Sequence, residues 1–209
     1  MSADTTSRSA LWQRNPAWVQ LLGLCPLLAV TCNLTYALGL AVVIFGVTFA
    51  SSLSASLLRH CLPRSIRLPC FVLIIATLGT IATLLLEAYA YELFASMALF
   101  VQIIVTNCMI LGHAESNAST RSVGRAARDA IVTSLGFALA LLLMGAVREI
   151  LGSGTLLADA QLLFGSRAAT WTVHIGESGV APLARYAPGA FIVGGLLVAL
   201  GQVAAGKRV

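Results

Sequence analysis

Long apolar runs, separated by short charged links, restrict the fold of this chain more than any other feature. Only 10% of its residues are charged, whereas soluble domains average about 25%. Each run is close to the ~20 residues that a helix needs to cross a bilayer. The pattern therefore predicts a polytopic α-helical membrane protein, and 209 residues leave no room for a soluble catalytic domain.

Six membrane spans are predicted from these runs. They lie at about residues 17–35, 37–58, 68–87, 93–112, 129–148 and 186–205. The predicted domains are an N-terminal tail over 1–16, a transmembrane domain over 17–205 and a C-terminal tail over 206–209. The run after the N-terminal tail has no small-residue cleavage site at a suitable distance. We therefore expect the first span to be retained.

Basic residues flank the apolar runs and account for the net charge of +5. They are Arg8, Arg14, Arg59, Arg64, Arg67, Arg121, Arg125, Arg128, Lys207 and Arg208. Links with a positive excess alternate with links without one, as expected when cytoplasmic loops carry the Lys and Arg residues. The alternation predicts a multi-pass protein in membrane lipid with both termini in the cytoplasm. It also explains the basic charge without a nucleic-acid partner.

Two motifs place a cysteine deep in apolar sequence beside small or helix-interrupting residues. These residues are Gly23, Cys25 and Pro26 in LLGLCPLLAV, and Thr106, Asn107, Cys108 and Gly112 in VTNCMILG. Pro26 lacks a backbone donor and disfavours a continuous helix. Carbonyls left unpaired in a membrane must be covered by protein or polar groups, which Thr106 and Asn107 are expected to supply. Both motifs therefore predict broken helices.

Each motif opens one half of the chain, at about 17–87 and 93–205, and each half holds three predicted spans. An odd number of spans gives the halves opposite orientations, which is the layout of an inverted-topology repeat. At 1.5 Å per residue, Cys25 lies about 12 Å from one face and Cys108 about 22 Å from the other. The predicted fold is an all-α integral membrane protein of six helices, an inverted three-plus-three repeat with broken helices at both cysteines.

The chemistry of two converging cysteines favours a metal centre. A lone thiolate in hydrocarbon is very costly, and a metal removes that cost by binding it. Cysteine ligands in apolar surroundings suit iron–sulfur clusters, and a two-iron cluster normally needs four of them. Cys25 and Cys108 supply two, so a second protein would complete the set. The alternative is that both are inert small hydrophobes, which is the interpretation for Cys32, Cys61 and Cys70.

The two motifs closely resemble those of the paired membrane subunits of the Rnf electron-transport complex and of the sodium-translocating NADH:quinone reductase. Further supporting stretches are IRLPCFVLIIATLGT, EAYAYELF, GFALALLLMGAVREILGSGTLL and APGAFIVGGLLVAL. The resemblance runs from about residue 15 to 201. In Rnf the pair consists of two homologous six-span proteins, the A and E subunits, in opposite orientations. This chain resembles the E type.

The resemblance implies an intramembrane [2Fe-2S] cluster shared with the A subunit of Rnf, with Cys25 and Cys108 as this chain's ligands. It also implies a complex with the B, C, D and G subunits of Rnf in the bacterial inner membrane. That complex passes electrons between ferredoxin and NAD and couples their flow to ion movement, so the chain would be inactive alone. No flavin-attachment motif is visible in the sequence. Cys32 is a departure, because the family pattern does not lead us to expect a cysteine there.

Two other classes of function remain open at this point. An inverted-repeat secondary transporter is expected to carry charge at the repeat interface, and no charge is predicted inside the six spans. Arg148 and Glu149 are predicted to form a local ion pair or contact headgroups at the end of the fifth span. His113 and Glu115 are predicted to be interfacial, with a proton carrier and a coupling-ion ligand as their alternatives. A cofactor-free scaffold protein is the third possibility.

Overall fold

Helices make up most of the described chain. The computed structural model describes residues 21–59, 63, 66–89, 91, 94–95, 103–118, 122–157, 173–174 and 186–204. The α-helices are α1 (Leu24–Ala29), α2 (Leu34–Leu58), α3 (Arg67–Tyr89), α4 (Cys108–His113), α5 (Val123–Ser153) and α6 (Ala187–Ala204), and a π-helix (Ala114–Ala118) follows α4. Two short strands, β1 (Thr155–Leu156) and β2 (Val173–His174), pair antiparallel.

Among the described residues, three helices are long and apolar enough to cross a membrane. They are α2, α3 and α5, with 25, 23 and 31 residues. At 1.5 Å per residue each exceeds the ~30 Å hydrocarbon core of a bilayer. The predicted spans 37–58 and 68–87 lie inside α2 and α3, and α6 is a shorter apolar helix within the predicted span 186–205. The described residues thus support a helical membrane protein, and the count of six spans stays a prediction.

Helix α5 extends beyond the predicted span 129–148 at both ends. It begins at Val123, so that Arg125 and Arg128 belong to its first turns, and it ends where Gly154 adopts a left-handed φ of 67°. A left-handed glycine is a common helix stop. The predicted span followed apolar content and lies inside this helix, which continues through arginine because arginine is a good helix former.

The core lies where α2 packs along α5. Leu40 and Ile44 of α2 and Phe137 of α5 are buried there. Small residues allow this close approach, since a Cβ on Gly145 would lie 3.0 Å from the Ala37 Cβ. Helix α3 instead exposes large apolar side chains, which would face lipid in a bilayer. They include Val72, Leu73, Ile81, Leu84 and Leu85.

The first predicted span, 17–35, is not one continuous helix. Within its described part, α1 ends at Ala29, turn residues follow, and α2 already begins at Leu34. The interruption was expected at Pro26, but Pro26 lies in the first turn of α1, where its missing N–H leaves no helical bond unmade. The backbone leaves the helical conformation on either side of α1. Gly23 before it is left-handed, and Asn33 after it is extended. The boundary predicted near residue 36 is therefore wrong.

The predicted span 93–112 is also interrupted, as expected at the second motif. Residues 103–106 form a turn, Asn107 has an extended backbone, and α4 begins at Cys108. The Asn107 side chain accepts a hydrogen bond from the Met109 N–H at 3.0 Å. An asparagine in this N-cap position starts a helix efficiently. The second cysteine therefore opens a new helix rather than lying within a continuous one.

Candidate functional site

The two cysteine motifs are in direct contact. The Gly23 backbone N–H donates a hydrogen bond to the Cys108 Sγ, with 3.1 Å between nitrogen and sulfur. These residues are 85 positions apart in the chain. Cys25 lies two residues after Gly23, in the first turn of α1. The structure thus brings the first motif against the sulfur atom of the second.

Gly23 is the residue that permits this contact. Its φ of 80° belongs to the left-handed region, which side chains rarely adopt. A Cβ at this position would lie 2.6 Å from the Phe137 Cε2 and 3.3 Å from the Met109 Cβ. Only glycine adopts this φ and avoids these close contacts without strain. The backbone N–H therefore reaches Cys108 because the residue that carries it has no side chain.

Asn107 and Thr106 stabilise their own turn and do not cover the carbonyls of α1 in the described contacts. The Thr106 hydroxyl donates to the Ile103 carbonyl at 3.1 Å, and Asn107 caps α4 through its Oδ1. Asn107 is 1% exposed, and its Nδ2 has no hydrogen-bond partner among the described residues. The two residues therefore hold Cys108 at the start of α4.

Both cysteine side chains are exposed, although their neighbours are buried. Cys25 and Cys108 are free thiols at the surface, while Pro26 and Met109 beside them are covered. Within the described ranges, no cluster of three or more His, Cys, Asp or Glu side chains is placed to hold a metal ion. Both thiols are therefore accessible to groups from outside this chain.

A backbone N–H that points at a sulfur ligand has a defined electrostatic effect. Hydrogen bonds to cluster sulfurs stabilise negative charge and help to set the reduction potential. The Gly23 N–H is such a donor for Cys108. Apolar side chains such as Leu27 and Ile110 are buried behind the two motifs. The site therefore combines two thiols, a fixed donor and a water-poor support, which fits half of a four-cysteine cluster.

Arg148 is a buried residue whose role the sequence did not reveal. It is 1% exposed and extends from α5 to the end of α1. Its Nη1 donates to the Leu28 carbonyl at 3.0 Å and to the Thr31 Oγ1 at 2.9 Å. Its Nη2 lies 3.5 Å from the Tyr186 carbonyl and 3.9 Å from the Cys32 Sγ. Arg148 thus joins α5, the turn after α1 and the start of α6.

Glu149 binds the other side of the same turn. Its side chain is fully buried, and its Oε2 accepts the Leu34 N–H at 2.7 Å. The predicted headgroup contact for Arg148 and Glu149 is therefore wrong, because both side chains are buried in the protein. Helix α5 continues past residue 148 and carries both side chains into the protein.

Other sequence predictions near the site have mixed outcomes. Cys32 lies in the turn after α1, which ends at Ala29, and its thiol donates to the Ala29 carbonyl at 3.7 Å. His113 is 5% exposed and so is not interfacial, whereas Glu115 is exposed. Cys61 lies outside the described residues.

Comparisons with known proteins agree with these features. The profile of a family described as "Rnf-Nqr subunit, membrane protein" matches residues 5–198. The chain is 50% identical over 191 residues to the E subunit of the ion-translocating oxidoreductase complex of Shewanella loihica, covering 91% of this chain and 82% of that protein. It is also 50% identical over 196 residues to the protein of the same description from Pseudomonas paraeruginosa, covering 93% and 82%.

Proposed function

Because the chain belongs to the Rnf-Nqr family of membrane subunits, we propose that it is the E subunit of an ion-translocating oxidoreductase complex. In this role it is part of a translocase that works with its partners and is inactive alone. The identity to E subunits extends over nine-tenths of this chain, as it does for a 49% identical protein of Shewanella frigidimarina, which covers 92%. The fold proposed is the six-span inverted repeat, in the bacterial inner membrane with both termini in the cytoplasm.

We further propose that the chain carries electrons through an intramembrane [2Fe-2S] cluster shared with the homologous A subunit of Rnf. The observation that supports this is the contact between Gly23 N–H and Cys108 Sγ, which brings the two motifs together, and both thiols are exposed. Two thiols are half of the usual four ligands, so a protein with a matching pair would complete the set. The B, C, D and G subunits of Rnf are the other proposed partners.

Each residue of the site has a defined part in this proposal. Cys25 and Cys108 are the ligands, and the cluster, when bound, accepts and releases one electron at a time. Gly23 holds the Cys108 sulfur through its N–H and stabilises negative charge there. Asn107 fixes the start of α4, and so the position of Cys108. Pro26 completes the first turn of α1 without requiring a further backbone acceptor.

Iron analysis of the purified complex tests the cluster. Cys25→Ala and Cys108→Ala are each expected to remove about two iron atoms per complex, together with an EPR signal of the reduced protein. Cys70→Ala is the matched control, because this free cysteine lies on α3 and belongs to neither motif. It is expected to keep both iron and signal.

The opposite result in the iron analysis would refute the proposed cluster. Unchanged iron and an unchanged EPR signal in both alanine variants, in complexes that still contain the A subunit, would remove the cluster from this chain. The protein would then be a cofactor-free scaffold or would conduct ions.

A further inference from the structure

Helix α1 is too short to hold its own position. It has six residues, fewer than two turns, and isolated helices of this length are not stable in water or as free segments. Its first turn carries Cys25, one of the two exposed thiols. The position of this thiol therefore depends on the contacts that fix α1 to the rest of the protein.

Arg148 and Glu149 supply those contacts from α5. Arg148 binds the Leu28 carbonyl, in the last turn of α1, while Glu149 binds the Leu34 N–H, at the first residue of α2. A helix carries partial negative charge at its C-terminus and partial positive charge at its N-terminus. The cation thus faces the end of α1, and the anion faces the start of α2. Neighbouring residues of one helix fix both ends of the interruption.

The free-energy cost of burying the Arg148 charge points to a function beyond packing. Burying a charge is expensive even when it is paired, and Arg148 is 1% exposed. The Leu28 carbonyl that it binds lies three residues after Cys25, which is about 4.5 Å along a helix. A positive charge at the end of α1 favours the more negative of two states of a centre bound at the start of α1.

We propose that Arg148 is a positioning residue for Cys25, and that its charge also raises the reduction potential of the centre that Cys25 binds. The second part rests on the proposed function, whereas the first concerns only this chain. Loss of the guanidinium would release the end of α1 and the turn around Cys32. Loss of the charge would lower the potential.

Thiol labelling tests the positioning role without reference to iron. The Cys32 Sγ lies 3.9 Å from the Arg148 Nη2, and Cys32 is half-buried. Cys70 has a similar exposure and lies on another helix, α3. We expect Arg148→Met, in the assembled complex, to increase the N-ethylmaleimide reaction rate of Cys32 several-fold relative to Cys70. Mass spectrometry of the digested protein gives both rates. An unchanged ratio would overturn the positioning role.

A redox titration separates the effect of the Arg148 charge from the effect of its hydrogen bonds. The signal followed is the EPR signal that Cys25→Ala abolishes. Arg148→Lys keeps the charge but loses the forked donor, so we expect faster Cys32 labelling with a potential close to the original. Arg148→Met should show faster labelling and a lower potential. Equal potentials in the Lys and Met variants would overturn the electrostatic part.

The two proposals fail in different ways. If Cys25→Ala leaves the iron in place, the proposed cluster is wrong, yet the Cys32 labelling still tests the positioning role. If iron is lost in Cys25→Ala but both Arg148 variants label and titrate as the unmodified complex does, only the present inference is wrong. Should Arg148→Met not assemble, Arg148→Lys alone decides the positioning role through the Cys32 to Cys70 ratio.

Discussion

Substitution of Gly23 by alanine should damage the site through two separate strains. The backbone φ of 80° is unfavourable for any residue with a Cβ, at about 1–2 kcal/mol. The new methyl group would also lie 2.6 Å from Phe137 Cε2 and 2.9 Å from Phe137 Cζ. Overpacking of this kind costs about 1–3 kcal/mol. Together the two terms predict a destabilisation of about 2–5 kcal/mol.

The matched control is Gly46→Ala on α2. A Cβ at Gly46 has no neighbour within 4 Å and the position is helical, so alanine should stabilise by about 0.5–1 kcal/mol. The second control is Phe137→Leu combined with Gly23→Ala, which removes the clash but not the backbone strain. The double variant should therefore recover about half of the stability that Gly23→Ala loses. Substitutions at independent sites would not show this coupling.

The assay is the thermal midpoint of the detergent-solubilised complex, heated at one fixed rate because unfolding of such assemblies is irreversible. Iron content measured on the same samples reports whether the Gly23 N–H still reaches Cys108. Gly23→Ala should have the lowest midpoint and reduced iron, and Gly46→Ala the highest midpoint. Equal midpoints and equal iron in the two alanine variants would refute the claim that position 23 requires glycine.

Two further substitutions test single polar groups. Asn107→Ala removes the cap of α4 and should destabilise the protein by about 1 kcal/mol, which would lower the thermal midpoint and speed the loss of iron to a chelator. Asn107→Ser should retain most of the cap. Equal behaviour of the two variants would contradict the capping role. Thr48→Val removes a buried hydroxyl that has no hydrogen-bond partner among the described residues, so the midpoint should stay or rise. Ser134→Ala instead removes a hydroxyl that donates to the Ala130 carbonyl at 2.7 Å and should cost about 1 kcal/mol. A clear loss in Thr48→Val would mean that its hydroxyl binds a group beyond the described protein atoms.

The membrane helices could be predicted from the sequence because length and apolar content determine them. The predicted spans 37–58 and 68–87 fall within α2 and α3 for this reason. Helix ends could not be predicted in the same way. Helix α5 runs through Arg125 and Arg128 because helical hydrogen bonding does not depend on apolar side chains.

The cysteine motifs could be predicted as sites of interruption, although Pro26 lies in the first turn of a short helix and only Asn107 lies where a helix begins. Their contact was inferred from depth alone, and the structure shows it through Gly23 and Cys108. The role of Arg148 could not be predicted, because a charge near the end of an apolar run looks the same at the headgroups and in the interior. Only tertiary structure distinguishes the two.

The placement of Cys25 and Cys108 at the surface affects how cells must make this protein. In the proposed complex a second protein covers both thiols, so a newly inserted chain displays them until that protein binds. Uncovered thiols are open to oxidation, and beyond the first step the damage is largely irreversible. Copies that wait too long for a neighbour should therefore become chemically unusable, so that synthesis of the components in equal numbers, and close together in time, protects the yield of working assemblies.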